Sequence, residues 1–119
     1  MVQKETRLGV SDNCGVWVVG VFQIYRGSRR KAALPGDFLR VSVKRARPGN
    51  SVPRGSKHRA YLVRCVFKEA RVDGSFVSTS QNSCVLLKKR MTPRGRDILG
   101  PISFRVKKRR FSSSFTGVF

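Results

Sequence analysis

Apolar and polar positions in the first ninety residues form short runs divided by Gly, Pro, Asp and Asn, at the spacing of a small all-β barrel, and helical periodicity is scarce. Val16–Ile24 (VWVVGVFQI) is apolar at nearly every position. It predicts a strand covered on both faces, with Gly20 marking a bend or a close backbone approach. Residues 38–44 (FLRVSVK) alternate instead, with Leu39, Val41 and Val43 pointing one way and Arg40, Ser42 and Lys44 the other, where they could meet phosphate. Residues 59–68 (RAYLVRCVFK) put Tyr61, Val63, Cys65 and Phe67 on one face, and Arg64 and Lys68 beside Leu62 and Val66 on the other. Residues 75–78 and Ser83–Leu87 complete a five-strand set, the first of them opened by the Asp73-Gly74 turn. After Gly100, ISFRVKKRRF predicts one or two basic helical turns with Pro101 at an initial position, while residues 112–119 lack regular pattern. The expected fold class is mainly β, a small five-stranded β-barrel with a short C-terminal helical segment. Within 119 residues this makes one domain, the barrel over 1–100 and a basic helix and tail over 101–119.

Charge changes the picture. Lysine and arginine total 26 against 6 acids, a net charge of +20, so a free globule would repel itself unless a dense polyanion lay nearby. No apolar run approaches the length of a membrane span and no amphipathic basic helix of useful length is present, so nucleic acid is the better partner. The basic residues are spread along the chain, as suits a component surrounded by phosphate on several sides. They concentrate in the interstrand loops: Arg26, Arg29, Arg30 and Lys31 in RGSRRK; Arg45, Arg47, Arg54, Lys57 and Arg59 in RARPGNSVPRGSKHR; Lys88, Lys89, Arg94 and Arg96 in KKRMTPRGR. Glycine lets the backbone approach a phosphate and arginine offers a planar fork to its oxygens, so these loops, with Arg64 and Lys68 of the strand face, are the expected RNA contacts.

Catalysis lacks its parts. Three of the six carboxylates, Asp12, Asp37 and Asp73, stand in Asp-Asn, Gly-Asp and Asp-Gly pairs that set turns. With one histidine, His58, no nucleophile-histidine-carboxylate set and no phosphate loop, the expectation is no enzyme and no cofactor. Cys14, Cys65 and Cys84 form no CxxC pair, so no metal site is expected; two of them sit in apolar runs, as core residues of a reducing compartment do. The start, MVQKETRLGVSDNCG, shows neither a secretory signal nor a transit peptide, which fits a bacterial or organelle-encoded protein or one whose import signal has been removed.

The ordered motifs Asp12-Asn13 with Gly15, Gly36-Asp37 leading into Val41-Ser42-Val43-Lys44, Ala46 with Pro48, Asp73-Gly74, Asn82 before Val85-Leu86-Leu87, and Gly100-Pro101 carry a family likeness over roughly residues 3–107. In order and spacing the chain resembles the universal ribosomal large-subunit protein fourteen, the L-fourteen family. The resemblance implies a five-stranded barrel with short C-terminal helices, seated on large-subunit rRNA where it meets the small subunit, and contributing a bridge to small-subunit rRNA. It also implies contact with the third and nineteenth large-subunit proteins and, in some lineages, a ribosome-silencing factor. Carried over by position, Arg7, Asn13, Ser28, Arg30, Lys44, Arg59 and Arg64 join the RNA-facing set. Departures are Tyr61 and Thr79, where the family has an aliphatic and an aromatic residue, Arg96-Asp97 for a Thr-Arg pair, Phe104-Arg105 for an Arg-Glu pair, and the tail KKRRFSSSFTGVF for the usual C-terminal helix. This divergence in a short, very basic chain suggests a mitochondrial ribosome, with chloroplast and bacterial ribosomes also fitting.

Two rivals differ in what they require. A free RNA chaperone or translation factor on a similar barrel needs a second recognition module or an exposed aromatic stacking platform, whereas Trp17 and most phenylalanines lie in apolar runs and read as core. A heparin- or membrane-targeting cationic protein needs export and usually disulfides, and neither is signalled.

Overall fold

Alternating side chains close a sheet on itself only when every strand offers an apolar inner face, and five short strands here do so. The computed structural model describes residues 2–25, 32–49, 51–89, 93–95, 99–102 and 117–118. In chain order the described strands are β1 (Val2–Gln3), β2 (Arg7–Val10), β3 (Val16–Ile24), β4 (Ala32–Ala33), β5 (Phe38–Ala46), β6 (Lys57–Arg64), β7 (Glu69–Ala70), β8 (Phe76–Val77), β9 (Ser83–Leu87), β10 (Pro101–Ile102) and β11 (Gly117–Val118). A closed barrel runs β2-β3-β5-β6-β9, antiparallel throughout except at its seam, where β2 and β9 pair in parallel through Gly9↔Ser83 and Val10↔Cys84.

Inward positions are filled by branched aliphatics: Val16, Val19, Val21 and Ile24 from β3, Leu39, Val41 and Val43 from β5, and Leu62 and Leu86 from β6 and β9. Each such side chain taken fully from water contributes about 1.5–3 kcal/mol before conformational entropy is counted. Cys65 and Cys84 are buried in this cluster, as their apolar runs implied, and Cys14 packs against it partly buried. Burial and the Asp12 carboxylate push the Cys14 thiol up to about 12, and burial pushes Cys84 up as well, so both stay protonated near neutrality.

The aspartate turns form as the pattern predicts. The Asp37 carboxylate accepts the Leu34 amide at 2.8 Å, Asp73 accepts the Ser75 amide at 3.0 Å, and Asp12 accepts the Cys14 amide at 3.4 Å. Gly74 at φ 87° completes the hairpin turn that opens β8.

Several expectations are corrected. The fifth barrel strand is β2, not residues 75–78: Phe76 is 66% exposed and β8 pairs with β7 in a two-stranded hairpin outside the barrel. Two residues of strand cannot supply an inner face, whereas Leu8 of β2 is buried. The strand covered on both faces is β9, buried at all five positions, while β3 exposes Trp17 at 58% and Phe22 at 38%. The structure therefore overturns the core reading of Trp17. In β6 a register shift between Leu62 and Arg64 breaks the alternation, so Ala60, Leu62 and Cys65 enter the core while Phe67 lies outside the strand, half exposed. Tyr61 is buried outside that cluster, its ring 5.0 Å from Phe38 at 48°. Thr79 holds its segment by bonds from its hydroxyl and amide to the Cys65 carbonyl. Pro101–Ile102 is extended, pairing with Gly117–Val118 rather than opening a helix, and the remainder of the helical expectation, residues 103–111, lies outside the described residues.

Leu8→Ala should cost about 2–5 kcal/mol in chemical denaturation because it empties a barrel position, whereas Phe76→Ala should stay within about 0.5 kcal/mol. Equal costs would return residues 75–78 to the barrel.

Candidate nucleic-acid interface

The outer faces of β5, β6 and β9 carry what the inner faces exclude. Strand register sets Arg40 directly opposite Arg59, Ser42 opposite Lys57, and Arg59 in turn opposite Leu87. Like charges paired across strands do not attract one another, so this row is a concentration of positive charge on the outer face. Lys88 and Lys89 follow β9, and the segment 93–95 is tied to its edge by a Leu87↔Pro93 bridge and the Arg94 amide donating to the Leu86 carbonyl at 2.9 Å. Together they enclose an open cleft of about 530 Å³ whose described lining holds Arg40, Lys57, Arg59, Lys88, Lys89 and Arg94 and no carboxylate.

Two further groups tune it. The Arg94 Nε is buried at the edge of the cleft without a hydrogen-bond acceptor. His58, with Ser56 Oγ 2.8 Å from its Nε2, is held below the ordinary 6.5 by burial and then by the positive field of Arg94, so it is neutral near pH 7.

The site residues expected from sequence divide by place. Lys57, Arg59, Lys88, Lys89 and Arg94 come together in this cleft. Lys44, Arg45 and Arg47 are exposed at the far end of β5; Arg7 on β2, Asn13 in the first turn, Arg54 and Lys68 are exposed elsewhere. Arg64 faces inward instead: half-buried, it donates from Nη2 to Ser11 Oγ at 2.5 Å and lies against Gly100, and burial lowers its guanidinium pKa. Arg26, Ser28, Arg29, Arg30, Lys31 and Arg96 lie outside the described residues. His58 was missed as a site residue; alternation already put Arg40 on a face that could meet phosphate, but only the β5–β6 register sets it against Arg59.

The sequence of this chain has counterparts among known proteins. The sequence model of the family described as ribosomal protein L14p/L23e matches residues 1–116. The chain belongs to that family. It is 44% identical over 117 residues, 98% of both chains, to the large ribosomal subunit protein uL14m of Tetrahymena pyriformis. Membership in L14p/L23e makes the chain a structural protein of the large ribosomal subunit, from a family that is not enzymatic in general. The resemblance carried by the ordered motifs is thereby confirmed.

Gly95 ties this edge to the first turn, since a Cβ there would meet Asp12 Cβ at 2.8 Å and the Asn13 amide nitrogen at 2.9 Å. Gly95→Ala should cost about 1–3 kcal/mol in denaturation and displace Arg94 from the cleft; an unshifted midpoint would mean the segment is free to move. For His58, the unfolded chain takes up the proton more readily than the folded one, so stability falls as pH drops below 6.5 and the loss is complete below the lowered folded value. His58→Ala should remove that part of the pH dependence of the unfolding midpoint, and identical profiles would refute it.

Proposed function

We propose that this L14p/L23e protein binds large-subunit rRNA through the cleft of β5, β6 and β9, with the exposed cations of the loops extending the contact. The observation that carries the reading is the Arg40–Arg59 opposition inside a ring of lysine and arginine with no carboxylate among the described lining residues. Such an arrangement concentrates positive charge on one face, which a polyanion neutralises. Phosphate position and RNA shape, rather than base sequence, dominate recognition here. The exposed members of the expected set, Arg7, Asn13, Lys44, Arg45, Arg47, Arg54 and Lys68, serve as peripheral contacts. Arg64 acts as the tie that keeps residues 99–102 on the barrel, supported by the Leu99 amide donating to the Ser11 carbonyl at 2.7 Å. On this reading residues 101–119 are the tail of the same domain as the barrel.

Family likeness supports the finer placement: a seat at the subunit interface, a bridge to small-subunit rRNA, neighbours among the third and nineteenth large-subunit proteins, and a surface open to a silencing factor. The uL14m relative supports residence in the mitochondrial ribosome. A free RNA-binding factor is the second reading, favoured by one observation, the exposure of Trp17 and Phe22.

In sucrose gradients of organelle and whole-cell lysates, tagged protein should sediment with the large subunit at high salt, leave it after nuclease treatment, and track the mitochondrial fraction. Light migration, with RNA lost at modest salt, would favour the free factor. In RNA titrations across salt, each cleft cation removed by Arg40→Ala, Lys57→Ala or Arg59→Ala should reduce the log–log slope by about 0.7–0.9. The Arg40→Ala/Arg59→Ala double variant should unfold no earlier than wild type. Unchanged slopes would place the phosphate contacts elsewhere.

A further inference from the structure

The outer face of β3 is built from irregularities that share one outcome. Against β5, residues Val16 and Val18 pair with Ala46 and Arg45, leaving Trp17 as the extra residue of a bulge, and Val21 and Gln23 pair with Val41 and Arg40, leaving Phe22 as another. Between them, Val18 and Val19 pair with Arg45 and Val43, so the extra residue is Lys44 of β5. A bulge re-aims the side chain it releases, and all three released side chains are exposed. Gly20 completes the arrangement: with Val19 and Val21 pointing into the core, it faces outward, and the Lys44 stem crosses it so closely that a Cβ would lie 3.0 Å from Cε. Beyond Phe22, Lys57 sets its ammonium 5.8 Å from the ring centroid. Across β3, β5 and β6 the row is thus Trp17, Lys44, Phe22, Lys57.

Two large aromatics released to solvent serve no packing purpose of this barrel, and the cations between them select the occupant. Arg45 opposite Val18 and Arg40 opposite Gln23 add positive charge along both ends of the row. Glu5 lies across β3 from β5, its amide bonded to the Val21 carbonyl. An apolar protein partner would have to bury these lysines and arginines unpaired, whereas an unpaired stretch of RNA offers a flat base to each ring and a phosphate to each cation.

We propose that the Trp17–Lys44–Phe22–Lys57 face is a stacking platform for single-stranded RNA that adjoins the shape-reading cleft and shares Lys57 with it. The proposal rests on the RNA-binding reading and adds to it a substrate class, unpaired bases.

Trp17 is the chain's single tryptophan, so its emission reports this face alone. The full-length purified protein is titrated with oligouridine and with an RNA duplex of equal length. Oligouridine should quench the emission, and Trp17→Ala should weaken oligouridine binding about 5- to 150-fold, the range set by 1–3 kcal/mol per stacked base, while duplex affinity stays unchanged. Trp17→Phe should retain most of the affinity, and Phe22→Ala is an independent second variant should Trp17→Ala fold poorly. If wild type and both alanine variants bind oligouridine equally, the platform is refuted while the cleft reading stands. If wild type binds neither RNA at low salt, both fail. A photocrosslinking amino acid at position 17 that joins protein rather than RNA in purified large subunits also overturns the proposal.

Discussion

The whole molecule depends on one parallel pairing, β2 against β9. Every other contact in the barrel joins antiparallel neighbours, but closure needs a strand from the start of the chain to meet one from near its end, through Gly9↔Ser83 and Val10↔Cys84. The pairing is short, and flanking bonds reinforce it: the Gly9 amide to the Asn82 carbonyl at 3.3 Å and the Ser11 amide to the Cys84 carbonyl at 2.9 Å. With the seam shut, neither strand presents an open edge, and Leu8 and Cys84 are sealed beside the valines of β3 and β5. The outer cleft inherits its geometry from this closure, because β9 and the segment annexed to it form one wall.

Much of this was legible in the residues. Four barrel strands, β3, β5, β6 and β9, stand within a few residues of their apolar runs, and the three aspartate turns follow from side chains short enough to bond their own backbone. The fifth strand was not legible, because RLGV offers a single deeply buried side chain, Leu8, while GSFVS shows the same β-rich chemistry beside a strong turn signal. Local pattern cannot distinguish a barrel strand from a two-residue hairpin arm; only the long-range seam does. The basic segments announced a polyanion through charge alone, yet which cations share a cleft depended on register.

The β3–β5 pair shows why alternation misleads. A run such as VWVVGVFQI looks uniformly apolar, and uniform apolarity suggests a strand buried on both faces. Three register shifts reset the inward phase so that Val16, Val19, Val21 and Ile24 all reach the core while Trp17 and Phe22 do not. A bulge leaves no residue-type signature that distinguishes it from ordinary strand, so the exposed aromatics emerge only with coordinates. The same holds for Arg64, which shares its composition with phosphate-binding arginines and is nonetheless turned into the fold against Ser11 and Gly100.

The opposition of Arg40 and Arg59 links the stability of the fold to what lies on its outer face. A fold that carries cross-strand repulsion is less stable when alone than when a polyanion neutralises the row, because any ligand of the folded state deepens that state by mass action. A copy that holds a polyanion on this row therefore opens less often than one that holds none.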